Sequence, residues 1–276
     1  MKLFLRTKDF SVSGESFELH HDQKLDMLIT KPQPEDLDRF YESETYISHT
    51  DSNNALFDRL YQWVKRYSIS KKLQLIDNQI DKRKTLLDVG AGTGDFVKQA
   101  NARGFVVEGI EPNGKARSNA RQKGVILHPK LGDIADRKFQ IITLWHVLEH
   151  LPNLNGQIEN LNNLLEPNGV LFIAVPNFKS LDAAYYGKYW AAYDVPRHLW
   201  HFSKKAISKI IDNYGLKVIK VKPMLFDAFY VSLLSEKYKG NKLYWFNAFF
   251  IGLWSNISAF FSKEYSSHIY IIKKRD

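Results

Sequence analysis

The sequence predicts an α/β fold built on a doubly wound, seven-stranded and mostly parallel sheet, and three observations support this. Residues 86–96 read LLDVGAGTGDF, an apolar run that ends in an acid and passes through alternate glycines into an amphipathic segment. A second apolar run, at 105–110, also ends beside an acid. From residue 85 onward, apolar runs and amphipathic segments alternate, as they do where right-handed helical crossovers join parallel strands.

The strands are expected at short apolar runs bounded by turn residues, at 85–89, 105–110, 125–128, 139–144, 169–175, 216–222 and 268–273. Helices are expected between those runs, where apolar residues recur at helical spacing, at 94–103, 113–122, 156–165 and 203–213. In open α/β sheets, ligands bind beyond the carboxyl ends of the strands. The residues that follow each strand are therefore the first candidates for a site.

The composition indicates a globular protein. The chain has 276 residues, of which 44% are hydrophobic and 25% charged, enough for one large domain or one domain with additions. It has no cysteine, which excludes disulfides, thiolate metal sites and a cysteine nucleophile. The apolar stretch at residues 1–5 is too short for a signal peptide because Arg6 interrupts it, so we expect a cytoplasmic protein.

The glycine loop follows the first strand of the expected sheet. Glycine allows a positive φ and lets a ligand approach the backbone, and the helix start beside it presents unpaired N–H groups. Gly90, Gly92 and Gly94 form G-x-G-x-G, whereas the dinucleotide fingerprint needs a glycine where Asp95 stands. The sequence contains no G-x-x-x-x-G-K-[ST] motif, so a P-loop is excluded. The loop predicts a site for a nucleoside-containing cofactor.

Glu111 ends the second strand, about 20 residues past the glycine loop. An acid at this distance is placed to accept hydrogen bonds from ribose hydroxyls. The alternative is a surface or helix-capping acid, because Pro112 and Asn113 open a turn. The glycine loop, the acid and the alternation of strands and helices together favour cofactor binding.

With these residues the chain resembles the class I S-adenosylmethionine-dependent methyltransferases, and within them the ubiquinone-biosynthesis type. The resemblance implies S-adenosyl-L-methionine as the cofactor and S-adenosyl-L-homocysteine as its product. It also implies a last strand that runs antiparallel beside the fifth. The implied cofactor contacts are Tyr46, Asp88, Gly90, Ala91, Gly92, Gly94, Glu111, Pro112, Asp133, Ile134, Leu144, Trp145 and His146. Asp133 and Ile134 are expected at the adenine, with an ordinary polar loop as the alternative.

Residues 145–152, WHVLEHLP, follow the fourth strand and resemble the HVLEH stretches of that family. His146 is a candidate general base, since an unperturbed histidine pKa near 6.5 suits proton transfer. A histidine that packs beside the cofactor is an equally good interpretation. Glu149 and His150 are more often structural than chemical in such stretches. No spacing of acids and histidines forms a convincing metal site, so we expect no metal.

Residues 185–202, YYGKYWAAYDVPRHLWHF, belong to no expected core element and resemble the family's D-x-P-R-H-L-x-H-F segment. One interpretation is a wall that faces the methyl acceptor. It makes Asp194, His198 and His201 catalytic candidates, and Trp190, Tyr193 and Arg197 substrate contacts. The other interpretation, with equal weight, is a hydrogen-bonded loop that seals the end of the sheet.

The N-terminal part precedes the cofactor-binding domain, which we place at 85–276. Residues 1–34 form an extension that resembles the zinc ribbon of related proteins but lacks its cysteines, so any ribbon here is metal-free. Residues 35–84 carry an apolar stripe at helical spacing. By analogy this helical segment is a lid over the cofactor, which Tyr46 and His49 would touch. A helix packed on the sheet is the simpler alternative.

The C-terminal part carries most of the net charge of +9, with thirteen Lys or Arg and five Asp or Glu from residue 204 onward. Residues 243–262 contain no charged residue and are rich in aromatics. A membrane span here would separate two strands of one sheet, so we expect a helical hairpin, an insertion at about 225–262. It packs on the domain or on a second subunit, or it lies peripherally on an anionic membrane. Nucleic acid is a poorer explanation, because the basic residues are scattered and match no binding motif.

The sequence therefore predicts an enzyme that transfers a methyl group by in-line displacement to a small-molecule or lipid-like acceptor, with oxygen as the favoured nucleophile. The alternative is a catalytically silent S-adenosylmethionine-binding protein that acts through its hydrophobic hairpin. A nicotinamide oxidoreductase is disfavoured, because Asp95 takes the place of the third fingerprint glycine.

Overall fold

The computed structural model describes residues 1–41, 55–79, 85–134 and 137–275. The strands in these ranges are β1 (Lys2–Lys8), β2 (Ser16–Asp22), β3 (Met27–Lys31), β4 (Thr85–Val89), β5 (Val106–Ile110), β6 (Phe139–Trp145), β7 (Leu165–Pro176), β8 (Trp200–His201), β9 (Leu216–Pro223) and β10 (Ser267–Lys274). The helices are α1 (Ala55–Asp77), α2 (Asp95–Ala102), α3 (Gly114–Gln122), α4 (Leu154–Leu164), α5 (Leu181–Tyr186), α6 (Lys204–Asp212), α7 (Asp227–Tyr238) and α8 (Tyr244–Ser262).

The main sheet has the strand order β5-β4-β6-β7-β10-β9. Strands β5, β4, β6 and β7 pair in parallel, and β10 runs antiparallel between β7 and β9. This confirms the doubly wound α/β class and the antiparallel last strand. Helices cover both faces of the sheet, which explains why its central strands are apolar at almost every position.

The strand expected at 125–128 is not formed as a strand, so the sheet described here has six strands rather than seven. Only one bridge joins this segment to the sheet, between His128 and Ile110. The backbone N–H of Val125 donates to the carbonyl of Ala120 at the end of α3, which ties the start of the segment to the helix. Pro129 follows the bridge and has no N–H to extend the ladder.

The N-terminal extension forms a second, antiparallel sheet with the order β1-β2-β3-β8. Its fourth strand comes from the segment between β7 and α6, because Leu28 and Ile29 pair with His201 and Trp200. Residues 1–31 therefore share a sheet with the segment that follows the fifth strand of the main domain. The side chain of Thr30 strengthens this junction by donating to the carbonyl of His198 at 2.6 Å.

The C-terminal hairpin consists of α7 and α8, inserted between β9 and β10. The two helices lie within the range of about 225–262 that the sequence indicated for an insertion. In the described part of the chain, none of the helices combines the length and apolarity that crossing a bilayer requires.

Candidate active site

The glycine loop lies at the carboxyl end of β4, and its three glycines have φ values of 73°, 55° and 75°. A Cβ on Gly90 would lie 2.4 Å from Cγ2 of Val147, and one on Gly94 would lie 3.0 Å from Cγ1 of Val125. A Cβ on Gly92 would meet no atom within 4 Å. Packing therefore requires glycine at the first and third positions. The middle glycine borders open space, where a ligand can reach the backbone.

Glu111 bends back toward this loop from the end of β5. Its Oε2 accepts the backbone N–H of Gly92 at 2.8 Å, and its Oε1 accepts that of Asn113 at 2.8 Å. Arg117 donates to the carbonyl oxygen of Glu111 at 2.7 Å. A carboxylate has about four acceptor sites, so each oxygen keeps capacity for a ribose hydroxyl. The structure thus brings the predicted acid and the glycine loop together.

Asp88 is the penultimate residue of β4 and is 2% exposed. The hydroxyl of Thr143 on β6 donates to its Oδ1 at 2.6 Å. Burial raises the pKa of Asp88 to about 7, against the lowering effects of the Thr143 hydrogen bond and the Lys72 charge. The Asp88 carboxyl is therefore held inside the sheet, between β4 and β6.

His146 follows β6 and adopts a left-handed backbone with φ of 58°, which is uncommon for a residue other than glycine. Its Nε2 lies 2.9 Å from Oδ2 of Asp227 at the start of α7, and its Nδ1 lies 3.3 Å from Oε1 of Glu149. Burial lowers the pKa of His146, but the two carboxylates outweigh it and raise that pKa to about 10. The ring is therefore an imidazolium at neutral pH, a form that has no free nitrogen to accept a proton. This geometry disfavours the general-base interpretation of His146.

Lys72 on α1 completes a charged cluster at the carboxyl ends of β4 and β6. Its ammonium lies 4.5 Å from the centre of the Trp145 ring, a cation–π distance. Burial lowers the pKa of Lys72, and the charges of Asp227 and Asp88 raise it. Sequence reasoning missed both Lys72 and Asp227. Neither belongs to a motif, and each is brought to the sheet by a helix distant in the chain.

The other expected cofactor positions differ in exposure. Ile134 and Leu144 are buried in the core on one face of the sheet, and Ala91 is a buried residue of the glycine loop itself. Asp133 and Pro112 are exposed, and Trp145 is half-buried against Phe96. Tyr46 and His49 lie outside the described residues.

The segment 185–202 is held to the N-terminal sheet by Arg197, which is 1% exposed. Its guanidinium donates to both carboxylate oxygens of Asp194, at 2.6 and 3.0 Å, and to Oδ1 of Asp9 at 3.0 Å. It also donates to the carbonyl of Phe40 at 3.0 Å. These contacts raise the pKa of Arg197 despite its burial. Arg197 therefore links the segment 185–202 to the N-terminal part of the chain, and it is too buried to contact a methyl acceptor.

Trp190, Tyr193 and His201 are also buried in this segment. The indole of Trp190 donates to Asp182 at 2.7 Å, and Tyr193 packs edge-on against Trp190 and His201. Burial, with a smaller contribution from His198, lowers the pKa of His201 well below its usual value. These positions favour the second interpretation, a loop that seals the sheet end. They argue against substrate contacts at Trp190, Tyr193 and Arg197.

Glu149, His150 and His198 form a cluster that the sequence did not predict. Each offers one ligand atom, and the three atoms lie within 4.8 Å of one another. His198 Nδ1 lies 2.9 Å from the carbonyl oxygen of Ala192, to which it donates, and its Nε2 lies 4.0 Å from Oδ2 of Asp194. Burial and the neighbouring His198 lower the pKa of His150 to about 4, so its ring is neutral. Imidazole nitrogens and carboxylate oxygens are ligands that divalent cations use in proteins.

A family model described as a methyltransferase domain matches residues 57–221 of this chain. The chain belongs to this family. The match spans the glycine loop, Glu111 and the segment 185–202, and with the fold it confirms the resemblance to class I S-adenosylmethionine-dependent methyltransferases.

Curated relatives include two ubiquinone biosynthesis O-methyltransferases. The one from Histophilus somni (strain 2336) is 32% identical over 38% of this chain and 51% of its own length. The one from Actinobacillus pleuropneumoniae serotype 5b (strain L20) is 36% identical over 34% of this chain and 46% of its own length. The chain thus spans about half the length of the curated relatives it matches.

Among solved structures, an S-adenosylmethionine-dependent methyltransferase from Archaeoglobus fulgidus superposes with a TM-score of 0.52. The alignment covers 76% of this chain and 94% of that one, at 15% identity. At this identity the likeness establishes the shared fold.

Proposed function

We propose that this protein is an S-adenosylmethionine-dependent methyltransferase that acts on a hydroxyl of a small-molecule or lipid-like acceptor. The observation that carries the proposal is the open approach at Gly92 beside the carboxylate of Glu111. The curated relatives named as O-methyltransferases support oxygen as the nucleophile.

The residues at the glycine loop fit the cofactor. Glu111 has acceptor capacity for the two ribose hydroxyls, and Gly92 leaves room for close approach to the backbone. S-adenosylmethionine, when bound, supplies an electrophilic methyl group. The chain then has to align the acceptor, and alignment alone contributes up to about 7–11 kcal/mol in well-oriented systems.

His146 has a role that differs from proton abstraction. As an imidazolium between Asp227 and Glu149, it has no free nitrogen to accept a proton, and the two carboxylates compensate its positive charge. Asp227 and Glu149 hold the imidazolium in place.

The cofactor site is tested by replacing Glu111 and a matched neighbour. We expect Glu111→Ala to weaken S-adenosylmethionine binding about tenfold or more, because hydrogen bonds to a charged group contribute about 1.5–3 kcal/mol each. Glu108→Ala is the control. Glu108 lies on the same strand and pairs with His128 at 2.8 Å. Calorimetric titration of both variants with S-adenosylmethionine measures the two affinities. Equal affinities would contradict the assignment of Glu111 to the cofactor site.

The acceptor class is tested with a labelled methyl group. Purified protein, labelled S-adenosylmethionine and an extract of its host are incubated, and products are partitioned between organic solvent, water and precipitated protein. Label in the organic phase supports a lipid-like acceptor, and label in water supports a polar small molecule. Cofactor binding without any label transfer would favour the catalytically silent alternative.

A further inference from the structure

Helix α8 carries its large apolar side chains on the outside. Nine of them are exposed to solvent, namely Trp245, Phe246, Phe249, Phe250, Leu253, Trp254, Ile257, Phe260 and Phe261. Its buried residues are small: Ala248, Gly252, Ser255 and Ala259. Successive helical residues are separated by about 100°, so the exposed set covers one half of the helix and the buried set lies on the other. This distribution is the reverse of that of a surface helix on a soluble core.

Close contacts hold this orientation in place. A Cβ on Gly252 would lie 2.9 Å from the Cα of Phe229, so α7 and α8 pack backbone to backbone at that point. The hydroxyl of Ser255 donates to the buried carboxylate of Asp182 at 2.7 Å. Rotating the helix to bury its aromatic residues would break these contacts. The aromatic face is therefore a stable feature of the fold.

Positive charge surrounds the aromatic face at both ends of α8. Lys237 and Lys242 are exposed near its first residue, and Lys263 is exposed directly after its last. The acidic residues of the hairpin form ion pairs or hydrogen bonds with other residues of the chain. Asp227 pairs with His146, and Glu236 is fully buried and accepts from Asn241 at 2.7 Å. The outer surface of the hairpin is thus aromatic in the middle and cationic at its ends.

We propose that this aromatic face docks on an anionic lipid surface, with α8 lying in the plane of the membrane interface. A helix that lies in this plane buries its apolar face about 5–10 Å deep in the headgroup region. Trp and Tyr prefer this depth, and each lysine near the surface adds about 1 kcal/mol of attraction to anionic lipids. Aromatic residues, flanking lysines and the absence of acids from the outer surface of α8 match these requirements.

A second copy of the chain is a less suitable occupant because of charge. A two-fold interface uses the same patch on both subunits. Lysines flank α8 at both ends, and Glu264 beside Lys263 is already paired with Lys204 at 3.1 Å. Pairing two copies of the helix in either direction therefore places lysine near lysine. An anionic lipid surface instead complements both ends at once.

The docked face continues to the candidate active site. Phe226 is exposed at the start of α7 and packs edge-on against Tyr67 of α1, with ring centres 5.7 Å apart. The next residue, Asp227, holds His146. If the proposed lipid-like acceptor is correct, docking places the membrane beside the charged cluster. The docking itself does not depend on that function.

The test is flotation of the full chain with vesicles in a density gradient. We expect the wild-type protein to float with vesicles containing about one third phosphatidylglycerol at low salt, and less at high salt, because exposed charges are screened. The double variant Trp254→Glu and Phe261→Glu should lose flotation. Both side chains are largely exposed, at 66% and 78%, so folding is preserved. Ile126→Glu, at a position 76% exposed outside the hairpin, is the matched control and should float like wild type.

Three outcomes would overturn the proposal. They are absence of wild-type flotation at low salt, flotation of the double variant equal to wild type, or equal loss in the Ile126→Glu control. Light scattering after gel filtration is run on the same samples. A dimer that the double variant dissociates, together with no flotation, would assign the face to a second copy. No methyl acceptor is present, so these outcomes are independent of the proposed enzymatic activity.

Discussion

His146 shows how the environment of a residue changes its chemistry. The sequence places a histidine where a base would be useful, but the folded chain places a carboxylate at each ring nitrogen. The pKa of about 10 follows from those two charges. Because this pKa is raised above the unfolded value of 6.5, the stabilisation is fully present below pH 6.5 and is lost as pH rises through about 10.

The first prediction concerns the carboxylate of Asp227. We expect Asp227→Asn to lower the pKa of His146, because the largest raising influence disappears while burial still disfavours the charged ring. The titration of the imidazole by NMR measures this directly. Asp212→Asn, a surface acid at the end of α6, is the control and should leave the His146 titration unchanged. An unshifted His146 in Asp227→Asn would show that the ion pair is not formed in solution.

At the scale of elements, the glycines in the loop between β4 and α2 have different roles, two of them in packing and one beside the open space for a ligand. Its first and third glycines meet protein atoms where a Cβ would lie, whereas its middle glycine meets none. All three have positive φ, so alanine carries a backbone cost of about 1–2 kcal/mol at each of them. Only the contacts differ between the positions.

The second prediction compares two alanine variants of this loop. Gly90→Ala should lower the free energy of unfolding more than Gly92→Ala, because its Cβ overlaps Cγ2 of Val147 at 2.4 Å. Gly92→Ala should instead lose S-adenosylmethionine affinity at a smaller cost in stability, since its Cβ occupies the open approach. Urea unfolding and calorimetric titration separate the two effects. Equal stability losses with unchanged affinity in Gly92→Ala would refute the assignment of that open space to the cofactor.

At the scale of the whole molecule, the two sheets are joined at β8 and through Arg197. The guanidinium pairs with Asp194 from the main domain and with Asp9 from the N-terminal sheet, and both carboxylates have a lowered pKa. The pKa of Asp9 falls to about 2, although burial opposes this, because Arg197 and nearby N–H and hydroxyl groups stabilise its anion. Its stabilising contribution is present above pH 3.8 and is lost as pH falls through about 2.

The third prediction is that Arg197→Met destabilises the whole chain by about 3–5 kcal/mol, because it leaves buried carboxylates without their partner. The matched control is Arg6→Met. Arg6 pairs with Glu18 at 2.9 Å on the surface, where the expected loss is about 0–1 kcal/mol. Urea unfolding followed by tryptophan fluorescence measures both variants. Equal losses would show that the buried network does not hold the two sheets together.

The sequence by itself determined the alternation of strands and helices, the bounds of the hairpin, and the glycine loop with Glu111. These features depend on periodicity and turn chemistry within short windows of the chain. The expected strand at 125–128 is an exception, since the segment forms a single bridge at His128. Its start is hydrogen-bonded to the end of α3, and Pro129 has no N–H to extend the pairing.

Only the tertiary structure decided which distant groups meet. Asp227 reaches His146, and Asp9 reaches Arg197, across separations that no local pattern encodes. The orientation of α8 is of the same kind. Apolar residues occupy most of its circumference, so its periodicity does not show which side packs. Small side chains on one side of the helix decide the orientation. Gly252 permits close approach to α7 and Ser255 donates a hydrogen bond to Asp182, so the aromatic residues face outward.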